Sequence, residues 1–410
     1  MVLTSVRFLQ LSSSMILMAV AIPAAAQELD RATPLLPAPP EYNARPIQLG
    51  RIATYFGADA RIEYDSNIYA LPSNEIDDGR LVVSPWVNML LKDDRFELGA
   101  RARGTIRRYF DTNTDNTESG NARLDGTYRL SDVDNITGNL AWARLVEERG
   151  EPEGVNVPGT SPRQYDQWRS ELGYSHEGAR ITLGLKGSAL RNNARAAADE
   201  ERDFDQYSGS ARMGYRVSGI VSAFGEGFVV ARNFDLPVDF SGVDRDSKTY
   251  GARAGVAFSP GGLIDGEASV GVFRFKPDDS TLDSRTGLSI SAGLTYTPAP
   301  RRAVTLDGFR GDVATVRTGA QSRTDTRFRL GVQNEVYHNL RWQTAVVYRR
   351  STFVGSNQHE RTIAGLAEIE YLFNHNLAIA LTGRIANRDS TRPSDDFDRS
   401  LLGMEVRVQY

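Results

Sequence analysis

Between residues 95 and 107 the chain changes character at every second position. Phe96, Leu98, Ala100, Ala102, Gly104 and Ile106 make one series; Arg95, Glu97, Gly99, Arg101, Arg103, Thr105 and Arg107 make the other. Successive side chains of a strand point to opposite faces, so this period of two predicts a β-strand with one uncharged and one charged face. The signature returns with Tyr207, Gly209, Ala211, Met213 and Tyr215, with Tyr250, Ala252, Ala254, Val256 and Phe258, and with Leu288, Ile290, Ala292, Leu294 and Tyr296. Further on come Phe328, Leu330, Val332, Asn334 and Val336, then Leu377, Ile379, Leu381, Gly383 and Ile385. The chain closes on Leu402, Met404, Val406, Val408 and Tyr410. Glycines scattered through these series would weaken a helix, and no helical period competes.

The links between these segments alternate in length. Short ones are expected near 92–94, 131–135, 176–179, 216–219, 259–262, 297–302, 337–340 and 373–376. Longer polar ones fall near 70–79, 111–120, 148–162, 192–205, 234–248, 276–285, 318–325, 351–361 and 389–398. They join about 18 strands, with 16 as the neighbouring even number. Outer-membrane barrels combine an even strand number with short periplasmic turns and longer external loops. The predicted fold class is therefore all-β: a transmembrane, antiparallel, up-and-down β-barrel over residues 51–410. A soluble sandwich would also alternate along its strands, but has no reason to alternate its link lengths.

Upstream the pattern is different. Arg7, the apolar run 15–22 and Ala24-Ala25-Ala26 before Gln27 read as a cleaved signal peptide over residues 1–26. The run falls short of the roughly 20 apolar residues a membrane-spanning helix needs. Residues 27–50, with Pro34, Pro37, Pro39, Pro40 and Pro46 and no periodicity, are expected to form an extended periplasmic tether. The implied location is the outer membrane of a Gram-negative cell, with outer-membrane lipid around the barrel.

Composition changes this picture little. With 40% apolar residues, 24% charged residues and a net charge of -4, the chain could equally be soluble, so periodicity decides. The absence of cysteine excludes a disulfide framework and a thiolate metal site. His176, His338 and His375 fall in expected periplasmic turns and His359 in an external loop, so no histidine cluster forms a catalytic or metal centre. The loop acids Asp235, Asp239, Asp244 and Asp246, or Asp278, Asp279 and Asp283, match no calcium-loop spacing. No catalytic residues, metal, cofactor or nucleic-acid partner are expected. Trp86, Trp142, Trp168 and Trp342 are expected in the aromatic girdles at the membrane interfaces.

Charge matters most where parity places it. Only Lys92, Lys186, Lys248 and Lys276 of the 48 basic residues are lysines. If the uncharged faces meet lipid, the arginines line the lumen. Arg101, Arg103 and Arg107, with Arg123 and Arg129 on the next strand, form a candidate cationic selectivity strip, partly compensated by Glu97 and Asp125; Arg327 and Arg329 join it as lumen-lining candidates.

Several stretches resemble the putative β-barrel porin 2 family, which includes barrels encoded with exopolysaccharide export systems. They are Arg61-Ile-Glu-Tyr-Asp-Ser-Asn-Ile-Tyr69, the strand from Ser84-Pro85 on to Arg107-Arg-Tyr-Phe-Asp111, and Ala141-Trp-Ala-Arg-Leu-Val-Glu-Glu-Arg149. Arg388-Asp-Ser390 and Phe397-Asp-Arg-Ser-Leu-Leu-Gly403 complete the set. The resemblance implies a conduit for a surface polysaccharide, working with a periplasmic polysaccharide-export protein that lacks its own outer-membrane segment. The alternative is a general or anion-leaning diffusion porin. The apolar series Leu402, Met404, Val406, Val408 and Tyr410 resembles the C-terminal signal recognised by the barrel assembly machinery.

Overall fold

The computed structural model describes residue 36, residues 38–258 and residues 261–410. The expected signal peptide lies outside the described residues, as do 27–35 and 37 of the expected tether and part of the turn at 259–262. A three-residue strand, β1 (Ile47–Leu49), precedes eighteen long ones. These are β2 (Ile52–Asp65), β3 (Asp78–Lys92), β4 (Phe96–Tyr109), β5 (Thr117–Arg129), β6 (Asp134–Val146), β7 (Gln164–Glu177), β8 (Ile181–Ala194), β9 (Phe204–Arg216) and β10 (Val221–Phe234). The series continues with β11 (Ser247–Phe258), β12 (Ile264–Pro277), β13 (Arg285–Ala299), β14 (Arg302–Val313), β15 (Ser322–Tyr337), β16 (Leu340–Val354), β17 (His359–Leu372), β18 (Leu377–Ser390) and β19 (Phe397–Gln409).

Each long strand pairs antiparallel with its chain neighbours, and β19 returns to β2 through a register running from Leu401↔Asp65 to Gln409↔Gly57. Strands β2–β19 therefore form a closed, 18-stranded up-and-down barrel. Closure leaves every strand paired on both sides, which is what a sheet in lipid requires. β1 takes up the ladder of β2 where β19 ends: Phe56 and Tyr410 exchange backbone hydrogen bonds, and Ile47↔Thr54 to Leu49↔Ile52 continue below them. The sheet thus begins at Ile47 rather than at residue 51.

The outward face is apolar, as the alternation predicts. Every one of the strands β2–β19 contributes an exposed large hydrophobic side chain to it, among them Ile62, Leu98, Leu140, Leu172, Met213, Val229, Val270, Leu330, Ile385 and Leu402. An apolar band of that extent is covered by lipid, not water. Leu402, Met404, Val408 and Tyr410 all stand exposed on it. Strands run from 12 residues in β11 to 16 in β15, more than the roughly 9 to 11 needed to cross the hydrocarbon.

Eight links are short (93–95, 130–133, 178–180, 217–220, 259–263, 300–301, 338–339, 373–376) and share one end of the barrel. The others share the opposite end, the long-link end: 66–77, 110–116, 147–163, 195–203, 235–246, 278–284, 314–321, 355–358 and 391–396. The link 355–358 is as brief as a turn, because β16 and β17 run further than their polar sequence suggests. Trp86 departs from its expected place. It shares the inward face of β3 with Asp78, Arg80 and Ser84, and a Cβ on Gly57 of β2 would lie 2.6 Å from its ring. Glycine there lets the indole lie flat on the inner wall.

Candidate functional site

The link 147–163 turns into the barrel and carries charge with it. Glu147, Arg149 and Glu151 are buried. Two features permit the turn. Gly150 has a φ of +82°, a region glycine enters without penalty, and a Cβ there would meet the Phe397 ring at 2.8 Å. Tyr69 and Ala70, from the equally infolded link 66–77, pack beside it; Ala70, Val347, Ala364, Ala386 and Phe397 form one apolar cluster.

From this position the link binds walls that face one another. Both oxygens of Glu148 accept from Arg107 on β4, at 2.7 and 3.0 Å. Glu151 pairs with Arg349 on β16, and Glu153 with Arg323 on β15 at 2.9 Å. Around the ring, β4 and β15 are separated by β3, β2, β19, β18, β17 and β16 on the shorter path. The link therefore braces the barrel almost across its diameter. Arg149 grips both oxygens of Asp115 at 2.9 and 3.0 Å, donates to the carbonyls of Val155 and Thr160, and lies over the Tyr69 ring; its own carbonyl accepts from Arg399. Asp325 sits under this brace, fully buried and shared by Arg323, Arg327 and Arg349 at 3.0 to 3.1 Å.

Electrostatics hold the link in its charged form. Burial alone would push the Glu148 carboxyl up, but Arg107, Arg80 and Arg399 hold it at about 2. Burial also opposes ionisation of Glu153, and Arg323 and Arg202 overcome it. Glu147 is different: burial raises it despite Arg202 and Arg163, at 3.5 and 3.4 Å. Neighbouring links complete the layer, with Arg245 of 235–246 paired to Asp239 and bonded to the Ala320 carbonyl of 314–321.

The residues quoted above for a family resemblance, scattered along the sequence, converge here. Asp65 pairs with Arg399 at 2.9 Å; Asn67 is buried and bonds the carbonyls of Leu71 and Asp398; Arg80 holds Glu63 at 2.6 Å and the Tyr109 hydroxyl at 2.9 Å. Arg388 stacks 5.0 Å from the Phe397 ring.

The predicted arginine strip is divided by this arrangement. Arg107 and Arg327 belong to the brace. Arg103 pairs with Asp59 at 2.6 Å and Arg123 with Asp125 at 2.6 Å, whereas Arg101 reaches Asp125 only at 3.9 Å with 65% of its side chain exposed. Arg129 reaches the Asp94 carbonyl at 3.3 Å. Compensation therefore comes largely from Asp59 and Glu148, which the strip's own sequence neighbourhood does not reveal; Glu97 instead lies 3.6 Å from Lys92. Arg329 lines a cavity of about 290 Å³ in the lumen.

The expected tether also enters the barrel. The Leu36 amide donates to Oε1 of Gln333 at 2.8 Å, and Gln409 donates to the Tyr42 carbonyl. Leu36, Ala38, Tyr42, Asn43 and Ala44 border a cavity of about 450 Å³ together with Asp59, Arg101, Arg103, Arg341, Glu370 and Arg407. The described part of the segment is thus folded against the inner wall near the short-link end. No cluster of His, Cys, Asp and Glu able to hold a metal ion occurs among the described residues.

Residues 39–410 match the family described as Putative beta-barrel porin 2. No curated protein matches the chain. Among solved structures, the ferric citrate transporter FecA in the unliganded form is 11% identical, covering 82% of this chain and 60% of that one, with a TM-score of 0.40. The FrpB iron transporter from Neisseria meningitidis (F5-1 variant) is 10% identical, with 87% and 82% covered and a TM-score of 0.45. OpdL from Pseudomonas aeruginosa is 12% identical, with 88% and 99% covered and a TM-score of 0.43.

Proposed function

The chain belongs to the Putative beta-barrel porin 2 family, as an outer-membrane channel barrel and not an enzyme, and from that premise we propose that it is the conduit through which a surface polysaccharide leaves the cell. The observation that supports this reading is that chain from the barrel itself occupies both mouths. The link 147–163 braces the external one, and Leu36 with residues 38–42 lies inside the periplasmic one. A lumen wide enough for a polymer would leak small solutes if it stood open. A conduit for such cargo is therefore kept occupied until cargo and partner engage it, whereas a diffusion porin works as a standing sieve.

The lining suits carbohydrate. Guanidinium, carboxylate, amide and hydroxyl groups face the lumen, and an 18-stranded barrel encloses an aqueous bore once its contents move aside. The partner on this reading is a periplasmic polysaccharide-export protein, meeting the rim where the N-terminal segment enters. A second reading, a general or anion-leaning porin, draws on the exposed Arg101. Deleting the gene in its source bacterium separates the two. Export predicts loss of surface polysaccharide with polymer retained in the periplasm, restored by the intact gene. Unchanged surface polymer with slower uptake of small anions would replace this reading by the second.

A further inference from the structure

Among the arginines facing the lumen, Arg329 stands apart. Most are paired: Arg61 with Glu63 and Glu405, Arg103 with Asp59, Arg212 with Glu267, Arg253 with Glu226, Arg407 with Glu368 and Glu370. Arg329 makes no ion pair and no side-chain hydrogen bond among the described residues, and its Nε is buried without a partner. It lines the 290 Å³ cavity, whose size is at the lower end of the range for small-molecule sites.

The acids on that cavity do not neutralise it. Glu63 is held by Arg61 and Arg80, and Glu368 by Arg407; Asp307 and Arg384 have partners of their own. One guanidinium fork is left over, with Asp307, its Cα partner across the sheet, engaged elsewhere. Register places the rest of the wall in tiers. Gly331, Ala345 and Leu366 are successive Cα partners on β15, β16 and β17, forming an uncharged patch in a polar lumen. One tier away on the long-link side stands Arg329; one tier away on the other side stand Gln333 and Gln343, themselves Cα partners, and Glu368 beside them. Thr305 continues the uncharged tier onto β14.

We propose that this cavity is a binding subsite for a sugar acid, a pyranose ring whose carboxylate docks on Arg329. The proposal rests on reading the lumen as a conduit for hydrophilic cargo, and narrows that cargo to acidic sugars. Guanidinium and carboxylate match as a bidentate pair, which fixes orientation as well as charge. The ring's C–H face lies on Gly331, Ala345 and Leu366, and its hydroxyls meet Thr305 and Gln343. The uronate could come from a free sugar acid or from one unit of an acidic polymer; the chemistry at Arg329 is the same.

Titration calorimetry on the purified mature barrel in detergent tests the site, with sodium D-glucuronate, D-glucose and linear trigalacturonate as probes. Glucuronate is expected to bind roughly tenfold or more tightly than glucose, as a charge-assisted pair allows. Arg329→Gln should bring it down to the glucose level. Arg329→Lys, which keeps the charge but not the fork, should retain part of the preference, and Arg216→Gln at the periplasmic rim should leave it unchanged. Binding of glucuronate but not the trimer assigns the subsite to free sugar acids; trimer binding at least as tight assigns it to a polymer. Equal affinity for glucuronate and glucose overturns the proposal, as does a folded, heat-modifiable Arg329→Gln barrel that binds glucuronate like the wild type. If Arg329→Gln does not fold, the glucose comparison and the lysine variant still decide. An exporter of neutral polymer would fail here yet pass the gene-deletion assay, so the two readings fail separately.

Discussion

Arg107 and Arg101 stand on the same face of the same strand, yet they belong to differently built regions. Arg107 is buried and spends both its terminal nitrogens on Glu148, a residue brought to it by the infolded link 147–163. Arg101 lies toward the periplasmic end, mostly exposed, with Asp125 at 3.9 Å. One region is a brace in which arginine and carboxylate hold chain across the bore; the other is a hydrated wall that leaves positive field available. The difference shows that alternation along a strand decides which side of the wall a residue faces, while the links decide what it does there.

The largest expected effect breaks the brace. Arg349→Ala leaves Glu151 and Asp325 buried without their shared partner, a loss of about 3 to 5 kcal/mol for a buried pair with one member removed. The urea midpoint of the refolded barrel should fall accordingly, while Arg101→Ala, by comparison, should change stability by less than about 0.5 kcal/mol. Equal effects would erase the distinction between the regions. On the lipid face, Leu330→Arg should cost about 2 to 4 kcal/mol near the midplane. Tolerance of that change equal to Arg101→Gln would reverse the assignment of faces.

A smaller effect sharpens the periplasmic side. In a barrel whose link 147–163 has been shortened so that it conducts, Arg101→Gln with Arg129→Gln should move the reversal potential under a salt gradient toward cation preference. An unchanged potential would make these arginines wall residues only. The smallest effect expected is that of pH. Glu148, held at about 2 against an ordinary 4.5, contributes fully to the brace above 4.5 and loses that contribution progressively as pH falls from there through about 2. Glu147, raised by burial, acts in the opposite sense, since taking up a proton on acidification removes a buried charge. Conductance of the intact barrel should therefore not rise between pH 7 and pH 4; a channel that opens near pH 5 would contradict the assignment of Glu148.

Much of the fold was legible because its signals are local. Period two in Phe96–Ile106 or Leu402–Tyr410 and the alternation of link lengths are properties of adjacent residues, and they define both the strand number and the lipid face. The brace was not legible for the opposite reason. Glu148, Arg149, Glu151 and Glu153 read as a solvated polar link, and their partners Arg107, Arg323, Arg349 and Arg399 are distant in sequence. A dense run of charge around Gly150, in the longest link, was the one local hint. Trp86 misled in a related way: tryptophan in a barrel suggests an interface, and only its position opposite Gly57 places it inside. Pro-rich residues 27–50 suggested a tether, but β1 and the Leu36–Gln333 contact depend on a vacant stretch of β2 and a lumen that local sequence does not display.

The most direct test of the brace is single-channel conductance in planar bilayers. Wild-type barrel is to be compared with a variant in which residues 149–160 are replaced by a short Gly-Ser linker, both verified as folded by heat modifiability. The wild type should show low or intermittent conductance and the variant a steady conductance several-fold higher. Equal conductance in the two would mean that the link 147–163 does not control the bore.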